Sequence, residues 1–178
     1  MSHTFFLALA ILLNGEGFYS NDVRDPGGET IWGIDRKNNS TWIGWQIVDS
    51  FKTNSNFPAC LETNPALIDA RNQFYFGLWN RLHCEDISAI SQTQANQLFY
   101  ASNNQGESLS IKWMQEILDV KVDGIMGQDT ITAYKSADPE RVLRIFARAR
   151  RSQYALDVRA NESLAIYLNG WIDTVVSA

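Results

Sequence analysis

An apolar stretch followed by a turn-dense segment constrains the fold of this chain most strongly. Residues 5–13 read FFLALAILL, and Gly15 and Gly17 follow closely, which is the pattern of a buried helix that ends at a glycine. Residues 18–34 then contain closely spaced Asn, Asp, Pro and Gly residues, which favours a small irregular hairpin. We therefore expect a helix that leads directly into a tight β element.

The same segment carries two carboxylates and a hydroxyl. Glu16 stands at the predicted helix end, Asp25 lies in the Gly-rich turn and Thr30 follows it. A carboxyl that is partly removed from water stays protonated, so we expect Glu16 to be a general acid. Asp25 is the candidate base or electrostatic partner, Asp22 competes for that role, and the hydroxyl of Thr30 is a candidate to hold the attacking water. Such groups together can cleave a glycosidic bond.

These groups also have purely structural explanations. An Asp before Pro-Gly-Gly commonly forms a turn, and a Thr hydroxyl can bond to the backbone of its own loop. A Glu at a helix end can simply face solvent. The residues alone leave these alternatives open.

Helical patterns dominate the rest of the chain. Asn64-Pro65 and Asp138-Pro139 are cap-plus-proline signals that begin helices. The length of 178 residues suits one domain, and 45% hydrophobic content is ample for its core. The predicted fold class is mainly α, with a small irregular β-hairpin. Helices are predicted over residues 41–52, 65–82, 91–106, 108–118, 128–134, 139–158 and 163–176, with a loop over 53–63.

Charge and cysteine usage exclude several classes of function. The formal net charge of −5 argues against a nucleic-acid partner. Cys60 and Cys84 match no metal-ligand spacing, and His3 and His83 are far apart in sequence, so we expect neither a metal nor a cofactor. Reduced thiols are the favoured state of the cysteines, although an oxidising compartment permits a disulfide.

The apolar run over residues 5–13 has some features of a signal peptide. No Lys or Arg precedes it, it is too short to span a bilayer, and no A-x-A cleavage site follows it. We therefore expect a buried helix, with Glu16 in the mature protein and no stable membrane insertion. Such a chain would be made in the cytoplasm, and any action outside it would require a holin-like pore or a dedicated exporter.

A second distinctive motif, VDGIMGQDT, occupies residues 122–130. Gly124 and Gly127 permit turn conformations, and helical character resumes after them. Asp123 does not begin a calcium loop, because the alternating oxygen ligands and the closing Glu of an EF-hand are absent. The motif predicts a structural turn.

These motifs together resemble glycoside hydrolase family 108, the phage and secretion-associated N-acetylmuramidases. Residues 16–22 match the family's EGG-(Tyr/Phe)-x-N-D segment, except that Phe18 replaces the second Gly. Residues 25–34 match its D-P-G-G-x-T-x-x-G-I segment without a gap. Residues 123–130 match its D-G-x-x-G-x-x-T turn, and the pair at 170–171 matches its C-terminal Gly-Trp. The chain departs from the family at Tyr100, where the family often has Asp.

The resemblance implies a lysozyme-like fold in a single domain over residues 1–178. Its catalytic lobe is expected at 1–90, and its lobe at 91–178 resembles a peptidoglycan-binding domain. It implies a monomeric hydrolase that cleaves the β-1,4 bond between N-acetylmuramic acid and N-acetylglucosamine of bacterial peptidoglycan in the periplasm. The order Glu16, Asp25, Thr30 is similar to that of phage-type lysozymes, which implies inversion.

Besides Asp22, four further residues are candidates for sugar binding, because aromatic rings can stack on pyranose faces and amides can bond to N-acetyl groups. For the two aromatic ones a place in the core is an equal alternative. The candidates are Tyr19, Asp22, Trp32, Asn104 and Gln105.

Arginines recur on one face of the predicted helix over residues 139–158. They stand at spacings of three, four and three residues, which places them on one basic face. Such a face is either solvated or paired with acids, or it supplies a local attraction to an anionic wall. The residues are Arg141, Arg144, Arg148 and Arg151.

Three other functions remain open at this point. A lytic transglycosylase also uses one catalytic Glu but forms an anhydro-sugar without added water, and Asp25 and Thr30 argue against it. A non-catalytic wall-binding module would leave the motif around Glu16 unexplained. A chitin- or chitosan-degrading enzyme of the same fold differs in substrate.

Overall fold

The structure, a computed structural model, describes residues 1–22 and 28–177 and is mainly helical. Within these ranges, three short strands form one antiparallel sheet in the order β1-β2-β3. The predicted mainly α class with a small β element is confirmed. The strands are β1 Tyr19–Ser20, β2 Thr30–Ile31 and β3 Ile34–Asp35. The α-helices are α1 His3–Gly15, α2 Gly44–Phe51, α3 Pro65–Arg81, α4 Cys84–Ser88, α5 Gln92–Asn104, α6 Glu107–Leu118, α7 Gln128–Ser136, α8 Pro139–Ala160 and α9 Leu168–Ser177.

The two cap-plus-proline signals predicted helix starts correctly. Before α3, the Asn64 side-chain oxygen accepts a hydrogen bond from the Leu67 N–H at 3.1 Å. Before α8, the Asp138 carboxylate accepts hydrogen bonds from two N–H groups of the first helical turn. These bonds satisfy N–H groups that have no partner within the helix.

The sequence patterns did not predict the short helical elements. The unpredicted α4, Cys84–Ser88, is only five residues long and follows His83, whose φ is 51°. The predicted helix over 163–176 is partly wrong, because a 3-10 helix at Glu162–Tyr167 precedes α9. Another 3-10 helix, Ala59–Leu61, lies in the predicted loop before α3. Elements of three to six residues are too short to show a helical hydrophobic period.

The chain divides into two compact units. One, which we call the hairpin unit, is Leu12–Gly77; the other, the helical unit, comprises Met1–Ile11 and Leu78–Ala178. The division into lobes at 1–90 and 91–178 stays a prediction.

The hairpin unit is built on the small sheet and its packing against helices. Ile31 pairs with Ile34 across β2 and β3, and both side chains are buried. On α2, the Trp45 ring is also buried and its Nε1–H donates to the Asn39 carbonyl at 2.8 Å. Buried Tyr75 of α3 completes this core. Short strands gain their stability from such packing, because a small sheet is marginal by itself.

The helical unit has an aromatic core. Trp79 is fully buried and contacts Phe5 and Phe99 edge to face, with ring centroids 5.9 and 5.5 Å apart. Its Nε1–H donates to the Glu85 carboxylate at 3.1 Å. This satisfies the one polar group of a side chain that otherwise contributes apolar burial. Cys60 and Cys84 are free thiols, and burial raises the pKa of Cys84.

The motif over residues 122–130 folds around one buried side chain, Gln115 of α6. The Gln115 side-chain oxygen accepts hydrogen bonds from the N–H groups of Asp123 and Gly124, at 3.0 and 2.8 Å. Its amide nitrogen donates to the Asp123 carboxylate and the Ile125 carbonyl, each at 2.9 Å, and to Thr130 Oγ1 at 3.3 Å. The predicted structural turn is thus an internal amide clamp, and Gly124 adopts a φ of 75° in it.

We expect Gln115→Ala to lower the free energy of unfolding by about 1–3 kcal/mol. The substitution removes the partner of several backbone groups in the turn at once. Gln128→Ala is the matched control, because Gln128 is exposed and surface changes usually alter stability by about 0.5 kcal/mol or less. Urea unfolding of both variants measures the difference. Equal unfolding midpoints would show that the clamp does not hold the turn.

Candidate active site

Glu16 follows the last residue of α1 and lies against the hairpin between β2 and β3. Its side chain is half-buried. A Cβ built on Gly33 would lie only 2.9 Å from Glu16 Cδ and 3.0 Å from its Oε2. The carboxyl group therefore packs directly on the Gly33 backbone, at a place where any larger residue would displace it.

The turn that carries Gly33 is an unusual one. Trp32 and Gly33 connect β2 to β3, and their φ values are 50° and 82°. Two central residues with positive φ are typical of the tight hairpin turn that matches strand twist. Asn or Gly normally occupies the first position, so a Trp there requires support from its surroundings.

Contacts on every side of Trp32 supply that support. Its N–H donates to the Phe18 carbonyl at 2.8 Å, and its carbonyl accepts from the Tyr75 hydroxyl at 2.7 Å. Its ring contacts Phe18 edge to face, with the Arg71 guanidinium 4.7 Å from the ring centroid. The side chain is 7% exposed. Trp32 therefore fixes the turn on which Glu16 packs; its ring is largely covered, and a role in sugar binding stays a prediction.

Glu29, for which no sequence pattern predicts a role, organises the outer side of the sheet. Its carboxylate is buried and accepts a hydrogen bond from the Tyr19 hydroxyl at 2.7 Å. It also pairs with Arg36 at 2.8 Å and with Lys52 at 3.0 Å. Burial and the hydrogen bond to Glu29 raise the pKa of Tyr19. The Tyr19 hydroxyl is thus engaged in holding the sheet, while its ring contacts Phe57 edge to face at 5.1 Å.

Asp49 pairs with the same two cations as Glu29, namely Arg36 and Lys52, and makes a pH-dependent contribution to stability. Hydrogen bonds from Arg36 and then Lys52 lower the pKa of Asp49 to about 2. The folded state therefore holds this proton less tightly than the unfolded state, so the contribution is present above about pH 4 and is lost as the pH falls towards 2. Asp49 is half-exposed, which limits the gain to about 0.5 kcal/mol.

We expect Asp49→Asn to weaken the dependence of folding stability on pH in the acid range. The variant should be slightly less stable than the wild type at pH 6 and equally stable near pH 2, because only a charged Asp49 gains from Arg36 and Lys52. Thermal unfolding midpoints measured from pH 6 to pH 2 test this. A variant that loses stability in parallel with the wild type would contradict it.

The other predicted catalytic groups differ in what the structure shows. Thr30 is half-buried in β2, and its hydroxyl donates to the Gly28 carbonyl at 3.2 Å. Asp22 is half-buried just after β1. Asp25 lies outside the described residues. The roles of these groups stay predictions.

The two predicted amide ligands lie in the helical unit, at the end of α5. Asn104 is exposed and accepts a hydrogen bond from the Asn103 amide at 2.8 Å. Gln105 donates to the Arg150 carbonyl at 3.0 Å and accepts from Arg150 Nε at 3.3 Å. Asn104 is therefore the more available of the two amides.

Tyr100, where the chain departs from the family pattern, lies beside the buried side chain of Arg150. The Arg150 side chain is fully buried, and its Nη1–H donates to Gln97. Its guanidinium also lies 5.3 Å from the centroid of the Tyr100 ring. Burial lowers the pKa of Arg150, while its interactions with Tyr154 and Tyr100 act in the opposite direction.

Two family models match the chain. The model described as Glycosyl hydrolase 108 matches residues 9–123, well over half of the sequence. The chain belongs to this glycosyl hydrolase family. A model described as "Predicted Peptidoglycan domain" matches residues 109–176. The resemblance inferred from the sequence motifs is thereby confirmed.

A comparison with solved structures supports the fold assignment of this glycosyl hydrolase 108 chain. SagA of Brucella abortus is similar, with a TM-score of 0.66 and 20% sequence identity. The match covers 97% of this chain and 90% of that chain. The predicted lysozyme-like fold class is confirmed. No curated protein sequence matches the chain.

Family membership and the peptidoglycan domain together indicate a glycoside hydrolase that acts on the peptidoglycan of the cell wall. In the part of the chain that the structure describes, no helix is long and apolar enough to cross a membrane. The same described residues contain no cluster of three or more His, Cys, Asp or Glu side chains suited to a metal ion.

Proposed function

We propose that this chain hydrolyses the β-1,4 bond between N-acetylmuramic acid and N-acetylglucosamine in peptidoglycan, with Glu16 as the general acid. The observation that carries the proposal is the position of Glu16, half-buried and packed on the Gly33 turn. The Gly33 backbone holds this carboxyl in its orientation. Motion of neighbouring side chains cannot easily displace a backbone contact of this kind. Such orientation is a large part of enzymatic rate enhancement.

In the proposed reaction, Glu16 donates its proton to the glycosidic oxygen as the bond from that oxygen to the anomeric carbon breaks. A water molecule adds to the anomeric carbon, and its proton passes to the second carboxylate, Asp25 or Asp22. Thr30 positions that water through its hydroxyl. We propose an inverting reaction, which requires the two carboxyl groups to be roughly 6.5–9.5 Å apart.

The surrounding residues take supporting roles in this proposal. Trp32 holds the turn on which Glu16 rests, and Glu29 fixes the sheet through Tyr19 and Lys52. Asn104 and Gln105 are proposed to bond to N-acetyl groups of the glycan. The enzyme would act as a monomer in the periplasm, after passage through a holin-like pore or a dedicated exporter.

The test is digestion of purified peptidoglycan, with the release of reducing sugar ends as the readout. Chitin and chitosan serve as parallel substrates. The proposal predicts release from peptidoglycan well above that from either polysaccharide. Faster release from chitin or chitosan would assign the fold to another substrate, and co-sedimentation with peptidoglycan without any release would indicate a non-catalytic binding module.

A further inference from the structure

Helix α8 carries a row of exposed arginines that the proposed reaction does not use. At 100° per residue, five arginines fall within an arc of about 80° and extend over about 27 Å of helix. Ala155 shares this arc, and neither Asp nor Glu of α8 falls within it. All five side chains are exposed. We call this surface the arginine face; its members are Arg141, Arg144, Arg148, Arg151 and Arg159.

Among the described residues, the arginines of this face form no ion pair within 4 Å. The ion pairs found among the described residues involve other cations, namely Arg36, Lys52, Arg81, His83, Lys121 and Lys135. The protein as a whole has a formal net charge of −5. A concentration of arginines on one helix of an acidic protein therefore produces a local field opposite to the global one.

An apolar groove borders the arginine face along α6. Its volume is about 290 Å³, and Arg141 lines it together with Ile117 and Ile145. Trp113 forms another wall and contacts Phe146 edge to face at 6.0 Å. The Glu116 carboxylate also lines the groove. Charged and apolar contacts are thus offered side by side, with Arg141 belonging to both.

We propose that the arginine face binds the free carboxylates of peptidoglycan peptide stems, while the adjacent groove accepts the methyl groups of their alanine residues. This inference rests on the proposed function for its substrate class. Guanidinium groups pair with carboxylates through two hydrogen bonds, and each exposed pair contributes little by itself. A wall offers many carboxylates at once, so five such contacts act together. The peptidoglycan domain match covers both the arginine face and the groove.

The test measures binding separately from hydrolysis. All variants carry Glu16→Gln and are sedimented with purified sacculi stripped of phosphate polymers by acid. Arg144→Glu with Arg148→Glu is expected to weaken binding by about tenfold and to remove most of its salt dependence. Lys112→Glu with Lys121→Glu makes the same change in net charge on exposed residues of the same unit and should change binding less than about twofold.

Two further arms make the result decisive. Arg144→Gln with Arg148→Gln should show an intermediate loss, and matching circular dichroism spectra exclude unfolding as its cause. Sacculi whose carboxylates have been amidated should bind weakly. Equal losses in the arginine and lysine pairs, retained binding to amidated sacculi, or binding only to unstripped sacculi or to anionic lipid vesicles would each overturn the proposal.

The two proposals fail in different ways. If wild-type protein releases no reducing ends but binding still depends on the arginine face, the hydrolase proposal fails and the binding surface stands. If hydrolysis occurs while binding is indifferent to the arginine face, only the binding surface is overturned.

Discussion

Gly33→Ala is expected to lower the rate of peptidoglycan hydrolysis by about a hundredfold while leaving the protein folded. A Cβ at this position would lie 2.9 Å from Glu16 Cδ, closer than real contacts allow. The Glu16 side chain is the group able to give way, so the substitution displaces the proposed general acid. A displacement of about 1 Å costs roughly a hundredfold in rate.

Gly28→Ala is the matched control for the backbone cost of Gly33→Ala. Both glycines have a positive φ, 70° at Gly28 and 82° at Gly33, so both substitutions strain the chain similarly, by about 1–2 kcal/mol. A Cβ at Gly28 meets no heavy atom of the described residues within 4 Å. The two variants should therefore lose similar stability in urea unfolding, but Gly33→Ala should lose far more activity. Equal activities would show that the contact between Glu16 and Gly33 does not matter for function.

Glu16→Gln is expected to reduce hydrolysis by about a thousandfold, within the range of 10²–10⁴ that general acid catalysis contributes. The amide keeps the size and most hydrogen-bonding capacity of the side chain, but it has no proton of suitable acidity for the leaving oxygen. Unfolding should remain close to that of the wild type, since Glu16 is only half-buried.

Glu62→Gln is the control for Glu16→Gln, because Glu62 is an exposed residue of the hairpin unit and undergoes the same change from carboxyl to amide. Its hydrolysis rate should match that of the wild type within about twofold. Reducing-end release from the same peptidoglycan preparation measures all three proteins. A Glu16→Gln protein with near-normal activity would move the general acid to another residue.

For this chain, the features that depend on residues close together in sequence were predictable. The caps at Asn64 and Asp138 and the helix before Glu16 depend on residues that are neighbours along the chain. The turn over residues 122–130 was likewise visible in its glycines. Local signals of this kind suffice for most long helices and for the general position of Glu16 beside a hairpin.

The contacts that hold the candidate site in place join segments that are distant in sequence. No local sequence pattern reveals such contacts. Trp32 occupies a turn position that favours Gly or Asn, because Phe18 and Tyr75 bind its backbone from other elements. Glu29 follows two glycines and reads as part of a loop, yet Lys52 and other distant partners make it a buried ionic centre. Such tertiary contacts override local preference.

In the proposed reaction water cleaves the glycan with Glu16 as the acid, and one measurement tests this most directly. Purified peptidoglycan is digested in oxygen-18 water by the wild type and by Glu16→Gln, and the products are analysed by mass spectrometry. We predict N-acetylmuramic acid reducing ends that carry the heavy oxygen from the wild type, and almost none from the variant. Unlabelled anhydro-sugar ends, or equal release by the two proteins, would contradict the claim.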